Sequence, residues 1–218
     1  CCQGHSKARG KLSGNPQHDA SRSTAWAVVS ALEFHRPAAG VVENVAEFLS
    51  WPLYPAWAMA IEALGYSIAP HLVDCADLGV PQNRERLFLV LTRSRAPLRL
   101  QLPKLEHVAA STFLDFAAGN WSQIRKPGRA EATLRRVANG RQAFGDRFVM
   151  PYYGKGSGTT GRSLERPIGT LTTRDRWALV DGERMRMLTA DEVLLGQSFP
   201  RGTKRPPQHA LTVHLAGN

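Results

Sequence analysis

The chain has 218 residues, room for one sizeable domain or for a domain with a smaller lobe. Hydrophobic residues make up 43% and charged residues 21%, which excludes a disordered chain and supplies a packed core. A net charge of +10 favours a polyanionic partner, nucleic acid or an acidic membrane surface. No run approaches the roughly 20 apolar residues that span a bilayer, and no signal peptide opens the chain. Three Cys, two of them adjacent, make no disulfide framework, and a reducing, cytoplasmic compartment is expected. Residue 1 is Cys rather than Met, and the chain stops at Ala216-Gly217-Asn218 with no closing helix expected. Both ends are therefore expected to be cut from a longer chain.

Cys1-Cys2-Gln3-Gly4-His5-Ser6 reads as a loop carrying thiols, and a thiolate is a nucleophile. Lys7 to Ser23 is basic, polar and broken by Gly10 and Asn15-Pro16. Ser23 or Thr24 is placed to cap a helix whose apolar face runs from Ala25 through Val28, Val29, Leu32 and Phe34 to His35, and Arg36-Pro37 ends it. Residues 38–45 read as a short buried strand with its polar Glu43-Asn44 at the carboxyl end, where open α/β sheets hold ligands. A helix is expected from Pro55 to Leu64, stopped by Gly65. Residues 66–74 read as an outer strand, because Pro70 would break a central ladder. Gln82-Asn83-Arg84-Glu85-Arg86 leads into a third strand through Leu91. A thiol, a carboxyl and two arginines, in that order, suit attack on a pyrimidine ring.

The character changes beyond Thr92. Residues 93–162 hold 13 Lys and Arg against 4 Asp and Glu, so nearly all of the excess positive charge lies there. Short helices are expected at Ser111–Ala118 and Ala130–Val137, and an aromatic, then glycine-rich basic loop at 149–158. β character resumes at 166–173 and 177–180 around a charged turn at Arg174-Asp175-Arg176. Thr189 and Glu192 have the spacing of a capping box for a helix from Ala190 to about Gln197. His5 with Cys1 and Cys2 lacks a second Cys and His cluster, so no metal is expected.

Laid out in order, these pieces resemble the DNA (cytosine-5) methyltransferase family. Cys2-Gln3-Gly4-His5-Ser6 resembles its nucleophile loop, Glu43-Asn44-Val45 its Glu-Asn-Val, and Gln82-x-Arg84-x-Arg86 its Gln-x-Arg-x-Arg. Arg166-Pro167-x-x-Thr170-x-Thr172 resembles the element after its target-recognition region. Arg186-x-Leu188-Thr189 through Gln197-Ser198-Phe199-Pro200, then Gly217-Asn218, resemble its closing segments. Six motifs in the family's order, spread over the whole chain, are specific. Cys1 stands where the family has Pro, which loosens the nucleophile loop, and the family's glycine-rich cofactor loop would precede Cys1.

The resemblance implies an α/β fold: a partial Rossmann-like, class I methyltransferase sheet with a smaller basic target-recognition lobe. Residues 1–92 would be the catalytic half, 93–165 the target-recognition region and 166–218 a return segment. It implies methyl transfer from S-adenosylmethionine to C5 of a flipped cytosine in double-stranded DNA. Cys2 would add to C6, Glu43 would donate to N3 from a partly desolvated pocket, and Arg86 would contact the ring oxygen at C2. Arg84 would hold phosphate. Ser6, Gln82, Arg166 and Thr170 would face DNA, and Gly217 and Asn218 the cofactor. The parent protein would be a monomeric bacterial or phage enzyme, of restriction–modification or orphan type. This stretch alone, without the preceding segment as partner, is expected to be inactive. A DNA-binding remnant without catalysis and an RNA-directed relative are the alternatives.

Overall fold

The computed structural model describes residues 23–152 and 160–217. The chain divides into two compact units, the first made of residues up to Asp74 and Glu85–Pro103, the second of Cys75–Arg84 and residues from Lys104 on.

In the first unit, helix α1 (Trp26–His35) leads to strand β1 (Ala39–Asn44), a 3-10 turn (Ala46–Ser50), helix α2 (Tyr54–Ala63), β2 (Ser67–Asp74) and β3 (Glu85–Thr92). β3 lies between β1 and β2 and is antiparallel to both. Pro70 thus falls on an outer strand of the described sheet, as its missing N–H requires. One sheet face places Leu87, Leu89 and Leu91 against Phe48, Trp51, Trp57 and Ile61, all buried. Trp57 is anchored as well as packed, since its Nε1 donates to the Ala25 carbonyl at 2.9 Å. α2 begins with Pro55 in its first turn and ends before Gly65, whose φ of +87° turns the chain into β2.

Two local expectations fail here. Neither Ser23 nor Thr24 occupies the N-cap of α1; Ala25 does, without a side-chain cap bond, because the helix emerges from a turn. β1 is not a buried strand. Its residues alternate, and Val41 on the face away from the helices is 65% exposed. An apolar run gave no sign of which face would be covered.

In the second unit, a short β4 (Ser122–Gln123), helix α3 (Glu131–Phe144), β5 (Arg147–Pro151), β6 (Trp177–Asp181) and β7 (Arg184–Met187) precede helices α4 (Ala190–Gly196) and α5 (His209–Gly217). The sheet order is β4-β7-β6-β5, antiparallel throughout. It takes β4 and β5 from one side of residue 165 and β6 and β7 from the other. Strand alternation gives it two cores: Phe148, Met150, Ala178 and Val180 face Val137 of α3, while Val149, Trp177 and Leu179 face Leu188, Val193 and Val213.

The expected helix at 111–118 is only a 3-10 turn at Ala110–Thr112, and α3 runs beyond Val137 to Phe144. Residues 166–173 form no strand. They contribute one isolated parallel bridge, Gln82 to Ile168. The closing helix that the sequence did not suggest is α5. Thr189 and Glu192 do form the capping box: the Glu192 amide donates to Thr189 Oγ1 at 3.2 Å and the Thr189 amide to Glu192 Oε2 at 2.7 Å.

Candidate active site

Glu43 ends β1, and Arg86 begins β3. The antiparallel register sets Glu43 opposite Phe88 and Asn44 opposite Leu87, so Glu43 and Arg86 are diagonal neighbours on one sheet face. Arg86 Nε donates to Glu43 Oε1 at 2.9 Å. The carboxyl is 46% exposed and the guanidinium side chain 15%. The desolvated pocket expected around Glu43 is therefore absent among the described residues, because nothing there covers the outer face of β1. Asn44 points the other way, is buried, and accepts the Val45 amide at 2.9 Å.

The other motif residues that the structure describes sit in the second unit, and Gln82 and Arg84 among them converge on Leu171. Gln82 is fully buried; its Oε1 accepts the Leu171 amide at 2.6 Å, and its Nε2 donates to Gly196 O at 3.3 Å and Gln197 Oε1 at 3.0 Å. Arg84 donates to the Leu171 carbonyl at 3.0 Å and to the Gly217 carbonyl at 3.3 Å. Thr170 donates to Asn83 O at 2.9 Å. Arg166 is exposed, and its carbonyl accepts the Ala110 amide. Gly217 packs so closely that a Cβ there would lie 2.2 Å from the Thr172 carbonyl carbon. Cys2, Ser6 and Asn218, assigned from the sequence, lie outside the described residues.

Two further clusters escaped sequence reading. Arg186 and Glu192 form a buried bidentate pair, at 2.6 and 2.7 Å, with side chains 1% and 3% exposed. On the surface, Arg147 lies over Phe116 and Arg184 over Trp121, each 4.6 Å from the ring, and the two rings stack at 6.4 Å. Asp181 joins the two arginines, and their hydrogen bonds, that of Arg184 first, hold its carboxyl below the usual aspartate range. Only an alternation of Arg with apolar residues in Arg184-Met185-Arg186-Met187 hinted at either cluster. Among the described residues no group of three or more His, Cys, Asp or Glu is placed to hold a metal ion, and no helix is long and apolar enough to cross a membrane.

The family model for C-5 cytosine-specific DNA methylases matches residues 1–117, more than half of the chain. The chain belongs to this family. Among similar methylases, the type II methylase M.HgiDII of Herpetosiphon aurantiacus is 24% identical over 199 residues, 78% of this chain and 56% of its own length. The type II methyltransferase M.DdeI of Desulfomicrobium norvegicum is 32% identical over 108 residues, 46% of this chain and 25% of its own. This C-5 methylase chain thus spans between a quarter and just over half of those relatives. The solved Entamoeba histolytica methyltransferase EhMeth has the same fold, with a TM-score of 0.57 at 15% identity over 100% of this chain and 70% of that one. The described sheets are therefore parts of a mixed α/β, class I methyltransferase fold.

Proposed function

We propose that this chain supplies the ring-activating and target-binding parts of a DNA cytosine-5 methyltransferase acting on double-stranded DNA. The observation that carries the reading is the Glu43–Arg86 contact. Two residues far apart in sequence, from two of the family's motifs, meet on one sheet face, with the Glu43 side chain 46% exposed. That contact is the resting arrangement. A cytosine entering there replaces one carboxyl–guanidinium contact by two contacts of its own: Glu43 donates to ring N3, and Arg86 turns its free N–H groups to the oxygen at C2.

Cys2 adds to C6. The Cys2 thiolate loses its charge as the S–C6 bond forms, electron density moves to C5 and toward N3, and Glu43 neutralises it there. S-adenosylmethionine would supply the methyl group that C5 takes; a base then removes the C5 proton and the Cys2–C6 bond breaks, releasing the thiolate and restoring the aromatic ring. The described residues do not by themselves form a cradle for it. The space beside Gly217 is filled by the backbone of Thr172 and Thr173, so that glycine serves close packing. The basic stretch 93–165 is read as the target-recognition region. Its Arg147, with Arg184 of the return segment, supplies planar cations stacked on Phe116 and Trp121 and suited to a phosphate backbone.

The test uses full-length protein and DNA carrying 5-fluorocytosine, whose fluorine blocks the last elimination. A denaturation-resistant adduct is expected, and Cys2→Ala abolishes it. An undiminished adduct in that variant assigns the nucleophile elsewhere.

A further inference from the structure

The motif that contains Gln82 and Arg84 resembles one whose residues meet DNA, yet both side chains bind the second unit's own backbone. We propose that Arg84 is a positioning residue that fixes α5 through the Gly217 carbonyl, and not a phosphate ligand. Only its functional readout rests on the methyltransferase reading above.

Arg84 donates with one terminal nitrogen to the Gly217 carbonyl of α5 at 3.3 Å, while its other terminal nitrogen holds the Leu171 carbonyl at 3.0 Å. A forked phosphate contact would need at least one of the nitrogens already bonded. From the other side, α5 is held by the chain itself, since no Cβ fits between Gly217 and the backbone of Thr172 and Thr173.

Leu171, which shares Arg84 with Gly217, is itself fixed on both polar atoms. Its amide donates to Gln82, and its carbonyl also accepts Gln197 Nε2 at 3.4 Å. Gln82 continues the network to the Gly196 carbonyl at the end of α4. Four separate segments, around residues 82–84, 168–173, 196–197 and 217, thus share one largely buried set of hydrogen bonds. Such a set fixes geometry because the loss of one donor leaves buried acceptors unmade. The family resemblance sets Gly217 and Asn218 toward the cofactor, and on that reading the hold of Arg84 on Gly217 governs cofactor affinity.

The experiment compares full-length protein with Arg84→Met and Arg84→Lys. Three readouts are taken: the salt dependence of DNA binding, KM and kcat for S-adenosylmethionine, and amide exchange at Leu171 and residues 214–217. A positioning role leaves the log–log salt slope and kcat unchanged in Arg84→Met. It raises KM for the cofactor by about tenfold and speeds the exchange of those amides by a similar factor. Lys does not rescue, because one ammonium replaces two separate nitrogens. A phosphate ligand behaves oppositely. Its loss would flatten the slope by about 0.9 and Lys would restore it, with exchange and KM unmoved, and that result overturns the proposal. If Arg84→Met does not fold, Arg84→Lys still decides between the two, since it keeps the charge and loses the paired nitrogens. A wild-type protein that transfers no methyl group sinks the proposed function instead, and the exchange readout then decides the positioning role alone.

Discussion

The first unit carries its carboxylate–guanidinium pair in the open, and the second buries one. Glu43 and Arg86 touch at a single 2.9 Å contact on the rim of a sheet face, with nearly half of the carboxyl side chain exposed. Glu192 is almost inaccessible and holds every lone pair it can offer: two contacts to Arg186, the Asp115 amide at 2.8 Å and the Thr189 amide at 2.7 Å. Arg186 in turn donates to the carbonyls of Asp115 and Met187 and lies 5.0 Å from the Trp121 ring centre. The same two functional groups therefore do different work. A buried pair whose carboxylate is filled by internal partners fixes a fold and leaves that carboxylate nothing for a ligand. A pair with one contact and open flanks can be taken apart by a substrate that offers a better set.

The comparison breaks first where the expected effect on folding is largest. Arg186→Met leaves Glu192 as a buried carboxylate with no cation, which costs about 3–5 kcal/mol. Urea denaturation measures it, with the unfolding of the second unit followed by amide exchange in β6. The double variant Arg186→Met with Glu192→Gln should recover part of the loss, because a glutamine oxygen still accepts the Asp115 and Thr189 amides. A loss below about 1 kcal/mol in the single variant would mean that water reaches Glu192 and that the pair is not the fixed element argued here.

The contrast between the two pairs also marks what could be read before the structure. The three strands and two helices of the first unit were legible because their apolar runs are bounded by Pro37, Gly65 and the polar run at 82–86, each of which acts locally. Glu43 and Arg86 were legible as motif members, but their meeting was not, because strand order and register are settled by non-local pairing. The second unit was harder for the same reason. β7 is a run of Arg and Met with no β-branched residue, and it becomes a strand only because β6 and β4 flank it. α5 carries apolar residues on several sides, so no single face announced it. Gln82 and Arg84 looked like surface groups for DNA by their type. Their burial depends on Leu171, Gln197 and Gly217, which lie 87 or more residues further along the chain.

Asp181 offers an intermediate case that sharpens the contrast. Its carboxyl is mostly shielded, while its partners Arg147 and Arg184 are about half exposed. Hydrogen bonds from Arg184 and then Arg147 lower its pKa from the ordinary 3.8. A carboxyl whose folded pKa is lowered adds stability that is fully present above its unfolded value and is lost as pH falls through the folded one. Stability of the wild type and Asp181→Asn should therefore differ by a modest amount at neutral pH and converge as pH falls through the lowered folded value. Solvent screens both arginines, so the gap at neutral pH should shrink in salt and stay smaller than the effect of Arg186→Met. Curves that stay parallel down to pH 2 would show that the charge on Asp181 contributes nothing.

The smallest effect on folding is expected at the pair that matters most for chemistry. An exposed single-contact ion pair contributes no more than about 0.5–1 kcal/mol, so Glu43→Gln should leave the denaturation midpoint almost unmoved. Gln keeps the shape and an oxygen that can accept from Arg86 Nε, which makes the sheet face indifferent to the change. Proton donation to a ring nitrogen is another matter. An amide cannot supply that proton, and the loss of a positioned general acid lowers kcat by about two to four orders of magnitude. Single-turnover methyl transfer to duplex DNA, run beside thermal unfolding on the same preparation, separates the two effects. The informative pattern is a folded protein with normal DNA affinity and a collapsed rate. If Glu43→Gln unfolds the first unit as Arg186→Met is expected to unfold the second, the open pair is structural after all. If it transfers methyl groups at the wild-type rate, Glu43 does not act on the ring, and the exposed face of β1 and β3 must serve some step other than activation of the base.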